Sequence, residues 1–336
     1  VGTSVRFHAG ARIGAYRVVR ELARTAAVAA FDTQHAVLPR AAIVKLAMTS
    51  AAAVPLLREA CLLEAVRHPG VPAVHESGVL AGGRPWIAVE LVIGTPLSAA
   101  RDLAPVDVAA IVRDVAAVLD HAHRRGVVHA GLRPERVLLT DPSRGARVCI
   151  VDWCDARAHD ASATIPHVPP PGARDYAAPE QTQHDAIDDR ADVYALGVIA
   201  YRAIAGVRPY DGGGAAVPLA VRCPHAPDEL CAVIDQMIAR DRFDRPTAAQ
   251  VGAELAWADA PASRRHEIAG ETLTAIPEVE VELVDTDGIP AQPLRIRRPR
   301  WTPAAIASAD LPARSGSIVS SDRRAEASGE IETPSD

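Results

Sequence analysis

Aromatic side chains are scarce. Phe, Trp and Tyr make up 4% of the 336 residues, so the core must come mostly from the Ala, Val and Leu within a 49% hydrophobic content. Lysine is almost absent. Of 36 Lys plus Arg residues one is lysine, Lys45, leaving 35 arginines (36 − 1). A bias that has erased lysine everywhere else marks Lys45 as a position where a compact ammonium does what a planar guanidinium cannot. The cysteines (Cys61, Cys149, Cys154, Cys223, Cys231) are an odd, scattered set without metal-ligand spacing, which reads as reduced thiols in a cytoplasmic protein. No apolar run reaches the length of a membrane span, and the opening VGTSVRFHAG lacks the apolar stretch of a signal peptide. The first residue is Val, so the expectation is an alternative start codon or a missing true start. A formal charge of −6 gives no reason to expect nucleic acid as a partner. The length suffices for one sizeable core and an appendage.

Alternation along Tyr16–Leu22 and Val28–Asp32 predicts two strands, and Ala42–Leu46 a third. Leu56, Leu57, Leu62, Leu63 and Val66 recur near helical spacing, with Pro55 suited to a first turn, so residues 55–67 read as a helix. A second, longer helix carries Val108, Ile111, Val112, Val115, Leu119 and Ala122 and stops before Gly126. Residues beyond Trp257 are rich in Ser, Pro, Glu and Arg without sustained periodicity, which predicts a low-order tail over 258–336. Within it Thr274–Val284 could form one extended strand, and Arg295–Trp301 is a basic run suited to an acidic partner or simply solvated.

The stretch VVHAGLRPERVLLTDPSRGARVCIVDWCDAR, residues 127–157, carries the most information. It resembles the catalytic and metal-binding loops of bacterial Ser/Thr protein kinases, which read H-R-D-L-K-P-E-N and D-F-G. Further landmarks lie in the same order: Ile43-Val44-Lys45, Glu59, Ala178-Pro179-Glu180, Asp192 and Arg245. The resemblance covers 16–257 and implies an α+β, bilobal kinase-like fold. Residues 1–15 form a lead-in, 16–91 a small β-rich lobe and 92–257 a larger helical lobe. It also implies a Lys45–Glu59 ion pair, Asp192 holding the loop at His129, and a Glu180–Arg245 pair beneath the large lobe.

Set against that pattern, the polar groups that carry phosphoryl transfer are replaced. Gly131 stands where the family has its catalytic Asp, and glycine can neither orient nor deprotonate a hydroxyl. Arg136 replaces the Asn that holds a second magnesium. Asp152 keeps the place of the metal-binding Asp but is followed by Trp153 and Cys154. Ala23, Thr25 and Val28 take the three positions of the glycine-rich lid, and Ile43 narrows the adenine site. Ala130 replaces the arginine that reads a phosphorylated activation segment, although Ser162 and Thr164 are available acceptors.

These departures lead to a pseudokinase expectation: a scaffold or regulatory module binding another signalling protein, with weak or absent nucleotide binding. Two arrangements stay open for ATP. Arg136 pairs with Asp152 in place of magnesium, or Lys45, Arg136 and Arg133 hold phosphates without metal, with backbone amides near Glu90 and Val92 facing the adenine. The alternative is an active kinase whose base is relocated to Asp155 or Asp141. Redox sensing through Cys154 is a third idea.

Overall fold

The computed structural model describes residues 7–158, 174–183, 186–210 and 215–258, all within one compact unit that extends to Ala269. The tail features and the phosphoacceptors Ser162 and Thr164 lie outside the described residues. None of the described helices is long and apolar enough to cross a membrane.

The small lobe is a six-stranded antiparallel sheet in the order β1-β2-β3-β4-β6-β5, formed by β1 (Arg12–Ile13), β2 (Tyr16–Arg24), β3 (Val28–His35), β4 (Ala41–Ala47), β5 (Val74–Leu80) and β6 (Arg84–Glu90). β-branched and aromatic residues alternate inward on β2 to β4, so Tyr16, Val18, Phe31, Val44 and Leu46 join Trp86 in an apolar cluster. The lobe begins earlier than the expected Tyr16. Ile13 pairs with Tyr16 and is fully buried, and a two-residue strand has no periodicity to show in sequence.

Helix α1 (Ala53–Val66) packs on β4 and β6 through Leu56, Ala60 and Leu63, with Glu59 on the same buried face. Leu63 and Val66 continue into the core of the large lobe, so one apolar cluster runs from α1 through Trp153 to the helices below. Those helices are α2 (Pro105–His123), α3 (Pro179–Gln183), α4 (Arg190–Ala205), α5 (Leu219–Arg222), α6 (Asp228–Met237) and α7 (Ala248–Glu254). Every residue of α4 from Ala191 to Tyr201 is buried, which makes it the pillar of the lobe. Gly197 allows α6 to come close, since a Cβ there would lie 2.7 Å from that of Met237. Short strands position the loops of the cleft: β7 (Thr95–Pro96), β9 (Val137–Leu139) and β10 (Val148–Ile150) in one sheet, β8 (Val127–Val128) and β11 (Arg157–Ala158) in another.

Candidate functional site

The loop between β8 and β9 is held from below. Asp192, at the start of α4, accepts the backbone N–H groups of His129 and Ala130 at 2.8 Å each and meets His123 at 2.9 Å. Burial would raise this carboxyl, but the hydrogen bonds from His123 and the His129 backbone keep it below its ordinary value. Gln181 donates to the Ala130 carbonyl at 2.8 Å. These bonds hold Ala130 at φ +56°, a left-handed conformation that alanine rarely adopts. Asp152 is left-handed as well, at φ +57°, which turns its side chain back into the cleft.

Trp153 fills the space behind Asp152. It is 1% exposed, donates its indole N–H to the Ile150 carbonyl at 2.7 Å, and meets the His129 ring edge-on at 4.7 Å between centroids. Burial pushes His129 down to about 4, so it is neutral at physiological pH.

Five charged side chains form one chain across the cleft. Glu59 Oε1 lies 2.6 Å from Lys45 Nζ, which lies 2.8 Å from Asp152 Oδ1. Asp152 Oδ2 is 2.7 Å from Arg136 Nη2, and Arg136 Nη1 is 2.7 Å from Asp155 Oδ2. Charge alternates from α1 and β4 in the small lobe to the two loops of the large lobe. Burial alone would lower Lys45, but Glu59 and Asp152 outweigh it and hold the ammonium above its usual value. Asp152 falls well below the carboxylate range, because Lys45 and Arg136 overcome its burial. Burial pushes Glu59 above its ordinary value despite the pull of Lys45 at 2.6 Å.

Arg136 is 5% exposed and also donates to the Gly131 carbonyl at 2.9 Å and the Cys154 sulfur at 3.3 Å. Gly131 makes room for it. A Cβ at that position would lie 2.5 Å from Arg136 Nη1 and 2.6 Å from Asp155 Oδ2. Asp155 is the site residue that the motif pattern did not place; the signal was a third acid three residues beyond Asp152.

Several expected ligand contacts are already used within the chain. The Glu90 amide does not face the cleft: it donates to the Ala73 carbonyl at 2.8 Å, and the Glu90 carboxylate is bound by Arg144. Val92 is buried just beyond β6. At the turn of β2 and β3, Thr25 Oγ1 accepts the Ala27 and Val28 N–H groups at 3.2 and 3.0 Å, so these amides are turned to the hairpin rather than to a phosphate. Ile43 packs against the main core. Arg133 lies 3.9 Å from Glu135. Asp141 is not in the site at all: it accepts the Ser143 N–H and caps the turn before β10. Cys154 is exposed by surface area, yet desolvation of the sulfur and the nearby Asp152 push its thiol up to about 12, the opposite of the lowered value that marks a reactive thiol.

Both Asp152 oxygens are taken, one by an ammonium and one by a guanidinium, and Lys45 is held by two carboxylates. A magnesium ion bound to Asp152 would sit against the Arg136 guanidinium. The residues as arranged do not fit a magnesium–nucleotide complex.

Residues 42–255 match the family model described as the protein kinase domain. The chain belongs to the protein kinase family. It is 30% identical over 253 residues to the serine/threonine-protein kinase Pkn1 of Myxococcus xanthus, covering 70% of this chain and 36% of Pkn1. It is also 30% identical over 263 residues to the serine/threonine-protein kinase PknJ of Mycobacterium tuberculosis, covering 72% of this chain and 44% of PknJ. The chain thus spans less than half the length of these relatives. Among solved structures, the kinase domain of Mycobacterium tuberculosis PknI superposes with TM-score 0.58 at 26% identity, covering 75% of this chain and 100% of that domain. The serine kinase domain of titin superposes with TM-score 0.60 at 19% identity over 71% of this chain and 78% of its own, a likeness of fold alone.

Proposed function

We propose that this member of the kinase family is a pseudokinase, a regulatory or scaffolding module that binds another signalling protein in the cytoplasm and transfers no phosphate. The observation that carries this reading is the Arg136 guanidinium, ion-paired with Asp152 and Asp155 at 2.7 Å each beside a residue with no side chain. Positioning and electrostatics supply nearly all the catalysis of phosphoryl transfer, so losing the base together with an open metal carboxylate removes most of it. Of the two arrangements left open for nucleotide, the internal ion pair is favoured, because no cation of the chain Glu59–Lys45–Asp152–Arg136–Asp155 is left uncommitted.

A second reading rests on Asp155. Its Oδ2 lies 2.6 Å from where a Gly131 Cβ would stand, about the distance from a Cβ to its own carboxylate oxygens in aspartate. A carboxylate therefore occupies the volume of the missing one, as in a Ser/Thr kinase with a relocated base. Arg136 neutralises it, which ranks this reading second.

Incubation with labelled ATP, magnesium or manganese, and a basic protein tests both. No labelling above a no-protein blank is expected. Labelling that disappears in Lys45→Ala would overturn the pseudokinase reading, and its further loss in Asp155→Asn would establish the second.

A further inference from the structure

Gly131, Arg136 and Asp155 are separated in sequence but act as one unit. The guanidinium can lie where it does only because Gly131 has no Cβ, and its second carboxylate comes from Asp155 rather than from any landmark position. Its two terminal nitrogens make four contacts: Asp152, Asp155, the Gly131 carbonyl and the Cys154 sulfur. Through Asp152 the same guanidinium is linked to Lys45 on β4 and Glu59 on α1. A single positive charge thus ties both loops of the large lobe to the small lobe.

We infer that Arg136 is a resident cation: with Asp152 and Asp155 as its two ligands it holds the lobes closed without divalent metal or nucleotide, and it masks a latent divalent-cation site. The inference rests on the pseudokinase reading and extends it to the regulation of the same site. The guanidinium already occupies Asp152 Oδ2 and Asp155 Oδ2, and a dication seated between those carboxylates would meet its positive charge at contact distance. Withdrawing the guanidinium changes this. Two carboxylates then converge on one space with only Lys45 to balance them. An Asn at 136 would add a neutral oxygen, giving the hard oxygen set that magnesium and manganese prefer.

The test is thermal melting of the purified chain in EDTA, magnesium chloride or manganese chloride, without nucleotide. The wild-type midpoint should be the same in all three. Arg136→Asn should melt lower in EDTA and rise by roughly 3 °C or more with manganese, because an ion that binds only the folded state stabilises it. The double variant R136N/D155N should lose that response. Arg136→Gln, which keeps more of the aliphatic stem, serves if the Asn variant does not fold. Hydrogen exchange of Ala53–Val66 in the wild type should also be unchanged by EDTA. A wild-type midpoint that drops in EDTA or rises with magnesium would overturn the inference, as would an Arg136 variant indifferent to both ions. Metal response in a wild type that labels nothing sinks this inference alone. Labelling by a wild type with a metal-independent midpoint sinks the pseudokinase reading alone.

Discussion

Two buried charge networks lie in the large lobe, one at its base and one at the cleft. At the base, Arg245 is fully buried and grips Glu180 through two bonds of 2.7 and 2.9 Å, while also donating to the Ala239 and Arg240 carbonyls. Asp192, on α4, holds the backbone of the loop above. These residues match the family pattern. The cleft network is just as well paired but is built from residues the pattern does not contain: Arg136 for an amide, Gly131 for an acid, and Asp155 recruited beside them. Holding the fold and performing chemistry are therefore separable tasks here. Under the pseudokinase reading proposed above, a guanidinium ties the two loops of the cleft together while occupying the places of a metal and a base.

The largest expected effect falls on the base network. Arg245→Leu should cost about 3–5 kcal/mol in chemical denaturation, because Glu180 is left buried and unpaired. The double change with Glu180→Leu should recover part of that loss, since no buried charge is stranded. A small effect would mean that the base is no more essential than the cleft.

Next comes His129, whose ring meets Trp153 edge-on and whose backbone N–H is held by Asp192. Its folded value of about 4 lies below the ordinary 6.5. The unfolded chain therefore binds the extra proton first on acidification. The stabilisation is complete above pH 6.5 and is lost as pH falls toward 4, amounting to about 3 kcal/mol. Denaturation midpoints of wild type and His129→Phe, measured across that window, should converge as the pH drops. Parallel curves would show that the ring is not buried in its neutral form.

For the cleft, a double-mutant cycle of Arg136→Leu and Asp155→Leu should give a coupling of about 1–3 kcal/mol. A value near zero would return Arg136 to the role of a surface arginine and dissolve the comparison. Thr25→Ala should cost least, about 1 kcal/mol or below, because the hairpin turn it closes is exposed. A measurable gain in nucleotide affinity in Thr25→Gly would show that turn amides can be freed for a phosphate.

Much of the cleft could be read from the chain because motif residues are local. Lys45 stood out as the single lysine, and Gly131 and Arg136, the departures from the motif pattern, sit five residues apart on one loop. The adenine-facing role given to the Glu90 amide failed for a non-local reason. The segment after α1 passes close enough for the Ala73 carbonyl to take that N–H. The start of the small lobe was missed because Ile13 declares itself only by burial.

The order of landmarks along the chain determined the family and the two lobes, since these depend on which residues occupy fixed spacings. Where Arg136 points could not be decided that way. A long guanidinium can turn to solvent or inward, and only the left-handed backbone at Asp152, the open side of Gly131 and the arrival of Asp155 select the inward pose. Those three conditions come from two loops, one anchored by Asp192 at His129 and Ala130, and they meet in space at the Arg136 ion pairs with Asp152 and Asp155.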